Sequence, residues 1–183
     1  MPDSVTEYLL KYAVWRRDEP FKLASGAHSH FYVDVKAALC HPTVLRVVSE
    51  GITDLARAEG VEFTHVGGLT MGADAVAVGV SLVSGAQWFS VRKEPKQRGH
   101  GRVIEGATVD SASKVLLVDD VVSTGGSTLK ALDAVREAGA QVLAAIPVVD
   151  RGGDAPRAFR DRGVRYLPLV RHDELGIPAL GSE

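Results

Sequence analysis

Cysteine is almost missing from this chain: Cys40 is the single thiol among 183 residues. No disulfide can form within the chain, which excludes a stapled secreted scaffold and fits a reducing compartment. Cys40 itself reads as a small core or interface residue. Long apolar runs are missing too. None approaches the roughly 20 residues needed to cross a bilayer. The first twenty residues, MPDSVTEYLLKYAVWRRDEP, carry acids and hold no apolar stretch leading to a cleavage site, so they do not read as a secretion signal. Charge of one sign is also lacking. Lys and Arg total 21 against 23 Asp and Glu, a formal net charge of −2, without the basic excess that nucleic-acid binding usually needs. Repeats and low-complexity segments are absent. The expectation is a soluble, cytoplasmic protein with neither nucleic acid nor membrane as a partner. What is present, 45% hydrophobic and 24% charged residues, suffices to bury a core in one domain without metal staples.

The apolar pattern alternates between two periods. Val5 to Arg17 reads as an amphipathic helix, with Val5, Tyr8, Leu9, Tyr12, Ala13 and Trp15 on or near one side. In FKLASGAHSHFYVDVK, residues 21–36, Phe21 and Leu23 alternate, Ser25-Gly26 turns, and Phe31 to Val35 runs extended, a hairpin-like lead-in. Pro42 opens a helix to about Ala58, stopped by Gly60. Strand candidates follow at Thr64–Gly67, Gln87–Val91, Val115–Val118, Gln141–Val149 and Val164–Leu169. Helices are predicted between them at Ala73–Ser84, Ser127–Ala138 and Ala155–Arg162. Strands alternating with helices predict an α/β fold with a mostly parallel central sheet flanked by helices. Unbroken apolar runs such as VLLV and VLAAIPVV agree, because parallel strands are buried on both faces. Residues 92–106, RKEPKQRGHGRVIEG, break the pattern. Arg92, Lys93, Lys96, Arg98, His100 and Arg102 share the stretch with three glycines and a proline. It reads as a long, mobile, basic loop, and such loops are usually functional or disordered.

The chemistry concentrates in VLLVDDVVSTGGSTLKALDAVREAG, residues 115–139. A buried strand leads to Asp119 and Asp120, then Val121 and Val122. Ser123, Thr124, Gly125, Gly126, Ser127 and Thr128 follow, then an amphipathic helix. Ligands of open parallel sheets sit beyond the carboxyl ends of the strands. Gly125 and Gly126 permit a tight turn that aims several N–H groups inward, and the hydroxyls around them add donors. The positive end of the helix dipole arrives at the same place, so a phosphomonoester is held without a lysine. Strand–turn–helix units with Ser or Thr caps are common in themselves; the two acids directly after the strand single this one out. Carboxylates repel phosphate but accept hydrogen bonds from sugar hydroxyls or from water on magnesium. A ribose 5-phosphate suits both halves. The Gly-Lys-Ser/Thr of a Walker A loop is not present.

Residues 115–128 resemble the phosphoribosyl pyrophosphate (PRPP) motif of type I phosphoribosyltransferases, and residues 20–175 as a whole resemble orotate phosphoribosyltransferases. The resemblance implies one phosphoribosyltransferase domain over 1–183. Residues 1–40 and the C-terminal segment would form a small hood, and residues 92–106 the mobile catalytic loop. It implies that Asp119 and Asp120 bind the ribose hydroxyls and that Ser123 through Thr128 wrap the 5-phosphate. Arg92, Lys93 and Lys96 match the loop pattern Arg-Lys-x-x-Lys, with Gly99 and residues 104–106 alongside. The family's loop histidine position holds Arg98, and His100 stands two residues later; Lys96, Arg98 and His100 become the catalytic candidates, since cations stabilise the departing pyrophosphate. Phe31 and Tyr32 would wall the base, Lys36 would lie toward pyrophosphate, and Thr70 in GGLTMGADAV would line the pyrophosphate turn. Ser123 and Arg151 would contact orotate, the arginine taking its carboxylate. Ala24 and Met71 stand where some members carry lysine.

The activity implied is transfer of the ribose 5-phosphate of PRPP to orotate, giving orotidine 5-phosphate and pyrophosphate, on the route to UMP. Magnesium would be held mainly by PRPP, with no dedicated protein metal site. A homodimer sharing the mobile loop is expected. Two alternatives stay open: a phosphoribosyltransferase for a purine or an orotate analogue, and a PRPP-sensing regulator on the same fold.

Overall fold

The computed structural model describes residues 4–22, 28–94 and 103–180. A seven-stranded sheet organises the chain. Its path runs β5 (Ile104–Gly106), β4 (Gln87–Val91), β3 (His65–Leu69), β6 (Lys114–Val122), β7 (Gln141–Asp150) and β8 (Arg165–Tyr166), with β9 (Val170–Arg171) also paired to β7. All pairings are parallel except β4 with β5. Parallel neighbours need crossovers, and helices supply them. Four helices, α1 (Val5–Tyr12), α2 (Val35–Leu39), α3 (Pro42–Ala58) and α4 (Asp74–Ser84), cover one face around Val66, Leu116 and Ile146. On the opposite face Phe89, Leu117 and Ala145 lie against α5 (Gly126–Glu137) and α6 (Ala155–Asp161) through Leu132 and Phe159. Both faces are apolar, as the VLLV and VLAAIPVV runs predict. Among the described residues no helix is long and apolar enough to cross a membrane.

The predicted Val5–Arg17 helix stops at Tyr12. The Ala13 N–H closes on the Leu9 carbonyl at 2.7 Å, and Val14–Lys22 then runs as strand β1, antiparallel to β2 (His28–Val33). Val14, Trp15 and Arg16 pair with Val33, Tyr32 and Phe31. Cross-strand pairing overrides a helical period that fitted equally well. Strand β2 ends at Val33, two residues before the predicted end, because the Asp34 side chain caps α2 by accepting the Ala37 N–H at 3.4 Å. Of the predicted Val164–Leu169 strand only Arg165–Tyr166 pairs, as β8, and the short strand β9 follows beyond Pro168. Within the predicted loop, Ile104–Gly106 is strand β5. Cys40 is exposed rather than in the core. The Ser25-Gly26 turn lies outside the described residues.

Candidate active site

Strand β6 is longer than the sequence suggests. It runs through Val122, so Asp119 and Asp120 stand on the strand, with Asp119 in register with Pro147 of β7 and Val121 with Val149. Successive strand residues face opposite sides, and the two acids have different surroundings. Asp119 is 4% exposed. Its Oδ2 accepts the Thr128 hydroxyl at 2.7 Å, and its Oδ1 accepts the Asp120 N–H at 3.1 Å. Burial, with the neighbouring Asp120 charge adding to it, pushes its carboxyl up to about 7. Asp120 is ion-paired with Lys36. Burial works against the Lys36 charge, but the hydrogen bond and charge of Asp120, with Asp34 and Asp119 behind it, hold the ammonium above the usual lysine value.

After Val122 the chain bends at Ser123 and Thr124 and enters α5 at Gly126. Gly125 makes the turn with φ +81°, and a Cβ there would also sit 3.1 Å from the Phe159 ring. Glycine removes both penalties. Gly126 and Ser127 lie exposed at the start of the 12-residue helix α5, and Thr124 is exposed beside them. Unpaired first-turn N–H groups and the dipole make that end an anion site in principle. The Thr128 hydroxyl, counted among the phosphate donors from sequence, is turned inward to Asp119.

The turn after β3 approaches the acids from the other side. A Cβ on Gly72 would lie 2.6 Å from Asp119 Oδ1 and 2.7 Å from Asp120 Oδ1. Only a glycine lets this turn pass so close to both carboxylates. Thr70 donates its hydroxyl to Asp74 Oδ2 at 2.7 Å, and its N–H to the Val91 carbonyl at 2.8 Å. The Thr70–Met71 peptide is cis, and Met71 is exposed.

A cavity of about 260 Å3 opens beside the acids. Phe31, Tyr32, Val33, Asp34 and Lys36 line it from the hairpin side, Asp120, Val121 and Ser123 from β6, Arg151 from the end of β7, and Leu180 from the C-terminal segment. Arg151 is 4% exposed. Its Nη1 donates to the Pro178 carbonyl at 2.9 Å and its Nη2 to the Ser29 hydroxyl at 3.4 Å. Seven of the sequence candidates therefore meet in one cavity: Phe31, Tyr32, Lys36, Asp120, Val121, Ser123 and Arg151. Asp119 and Thr128 are buried and bonded to each other, and Thr70 lies in the turn after β3. Arg92 is held at the edge of the sheet by Glu105, 3.3 Å away, and Lys93 next to it is exposed. Lys96, Arg98 and His100 fall outside the described residues, as does Ala24. Sequence reasoning misses Val33, Asp34 and Leu180. Asp34 has a sequence signal as a helix cap next to Lys36; Leu180 has none, since no motif ties the C-terminal segment to β7.

Residues 67–163 match the phosphoribosyl transferase domain family. The orotate phosphoribosyltransferase of Methanoculleus marisnigri is 45% identical over 155 residues, covering 85% of this chain and 87% of that protein. The chain belongs to the orotate phosphoribosyltransferase family. Solved members of the family superpose on it closely. The Mycobacterium tuberculosis orotate phosphoribosyltransferase in complex with Fe(III) dicitrate gives a TM-score of 0.81 at 32% identity, covering 94% of this chain and 97% of that one. The same enzyme in complex with PRPP gives 0.79 at 31% identity, covering 94% and 97%. The matched family span starts at Gly67 beside the Thr70 turn and takes in the acid pair, the Gly loop and Arg151. Phe31, Tyr32, Lys36 and Leu180 reach the cavity from outside that span. In this chain the matched core therefore supplies one side of the cavity and the flanking segments supply the other.

Proposed function

We propose that this chain is an orotate phosphoribosyltransferase that joins a ring nitrogen of orotate to C1 of PRPP, giving orotidine 5-phosphate and pyrophosphate for UMP synthesis. The observation that carries the reading is the single cavity at the carboxyl ends of β6 and β7 in which Asp120, Lys36, Phe31 and Arg151 converge. The 5-phosphate belongs on the backbone N–H groups of Ser123–Thr128, at the α5 N-terminus. The ribose diol belongs against Asp120, with Asp119 behind it fixing the strand end. The base lies along Phe31 and Tyr32 with its carboxylate toward Arg151, whose planar guanidinium matches a carboxylate in shape and charge. A purine offers that buried cation no carboxylate, which favours orotate. The pyrophosphate end points to Thr70 and Lys36. Lys93, Lys96 and the Arg98/His100 region are the cations assigned to the departing pyrophosphate.

Attack from the face opposite the pyrophosphate forms the new C–N bond while the C1–O bond breaks, and the ring N–H proton is released to solvent. Positioning and cationic stabilisation of the leaving group supply the catalysis. Magnesium would be held mainly by PRPP oxygens, with the Asp120 carboxylate accepting hydrogen bonds from water on it. Such an ion would neutralise pyrophosphate charge. The hairpin and C-terminal segment together act as the hood. The same reading includes a homodimer that shares the basic loop; the exposed pair Val78 and Leu82, one turn apart on α4, supports a buried partner face there.

The test is a steady-state assay with PRPP, magnesium and orotate, following the fall in orotate absorbance, with adenine, hypoxanthine and uracil as competitors. Turnover of orotate alone is expected. Turnover of hypoxanthine without orotate would overturn the base assignment.

A further inference from the structure

Ser29 is 1% exposed and lies on the base-wall strand β2. Its hydroxyl donates to the Phe31 carbonyl at 3.1 Å. Its oxygen accepts the Phe31 N–H at 3.0 Å and the Arg151 Nη2 at 3.4 Å. A hydroxyl can donate once and accept twice, so it can serve all three contacts. The group is therefore a three-way joint between the backbone of an aromatic cavity wall and the guanidinium at the end of β7, 122 residues away in sequence. Arg151 is held on its other side by Pro178, and its own carbonyl accepts the Leu180 N–H at 3.2 Å. An arginine with long rotamer freedom is thus locked from two directions, which is what a planar bidentate contact requires.

The geometry points to Ser29 as a positioning residue that sets base specificity by fixing Arg151 relative to Phe31. This rests on the proposed orotate reading. Ser29 touches no substrate; it fixes the distance between the ring wall and the carboxylate anchor. A base bearing a carboxylate at the right reach from its ring is selected by that distance, and PRPP binding is independent of it.

Ser29→Ala removes the joint and leaves an Arg151 N–H buried without that acceptor. The orotate KM is expected to rise about tenfold, equal to about 1.4 kcal/mol, while the PRPP KM stays within about twofold. In an Arg151→Lys background the same serine change should alter the orotate KM less than about twofold, because the pair acts as one unit. A crystal structure of S29A should show the guanidinium turned away from its wild-type orientation. Should S29A not fold, Ser29→Cys, of similar volume with a weak hydrogen-bonding thiol, is expected to give the same selective rise. An unchanged orotate KM, a parallel rise in both KM values, or a full tenfold effect in the Arg151→Lys background would each overturn the inference. Wild-type protein that turns over no orotate would instead sink the parent reading. The crystal arm then still decides: Arg151 and Phe31 unmoved in S29A refute the joint itself.

Discussion

Replacing Asp119 with asparagine should make the ligand-free protein more stable, and more so as pH rises. Asp119 is buried, and its carboxyl is raised from the ordinary 3.8 to about 7 chiefly by that burial. Between those values the unfolded chain has already lost this proton while the folded chain retains it. Folding stability therefore falls as pH rises from 3.8 to about 7, and is level above that. At about 1.36 kcal/mol per pH unit, holding the charge in the fold costs about 4 kcal/mol at about pH 8. Asparagine keeps an oxygen for the Thr128 hydroxyl, but its amide faces the Asp120 N–H that Oδ1 now accepts. Losing that bond costs about 1–2 kcal/mol. The net gain at about pH 8 is about 2–3 kcal/mol, roughly 5–10 °C in Tm for a chain of this size. Near pH 4 the carboxyl is neutral in the fold, and the gain should vanish or reverse.

Urea denaturation of wild type and D119N at intervals from about pH 4 to about pH 8.5, without ligand or magnesium, measures this difference directly. A difference that stays constant over that range refutes the burial argument. So does wild type gaining stability over D119N as pH rises, because that would mean the carboxylate is stabilised in the fold. Turnover should fall in D119N even as stability rises, a trade expected where a buried charge serves a site.

Gly72→Ala should raise the PRPP KM and cost about 1–3 kcal/mol in stability, because the added carbon would sit 2.6–2.7 Å from two carboxylate oxygens; unaltered kinetics would show that the turn can yield. Lys96→Ala should lower turnover sharply with Tm nearly unchanged, measured by steady-state assay and thermal unfolding, and wild-type turnover would remove that lysine from the chemistry. Mixing K96A with Asp120→Asn tests the shared loop: if Lys96 serves the partner's site, random pairing restores about a quarter of wild-type activity, whereas a mixture as inactive as its parts places the lysine in its own subunit's site.

The sequence discloses the parts of this site better than their orientation. Two acids after an apolar run, followed by hydroxyls and glycines, name the ligand class because few other functions need all of them in that order. Yet the strand continues through both acids, and the pleat gives them separate environments: Asp119 against Thr128 and Asp120 against Lys36. A linear pattern cannot register this, because it depends on where β7 stops pairing. Helix α1 shows the same limit. Trp15 fits a helical face and a strand equally well, and only the presence of Tyr32 across from it decides. Ser29 and Pro178 are invisible in the sequence for a further reason. Each acts on Arg151 through contacts over 122 and 27 residues of chain, and neither residue type advertises a function alone. What sequence reads well is therefore chemistry carried within one strand–turn–helix unit. What it reads poorly is the geometry between units, and in this protein that geometry places the base-binding arginine.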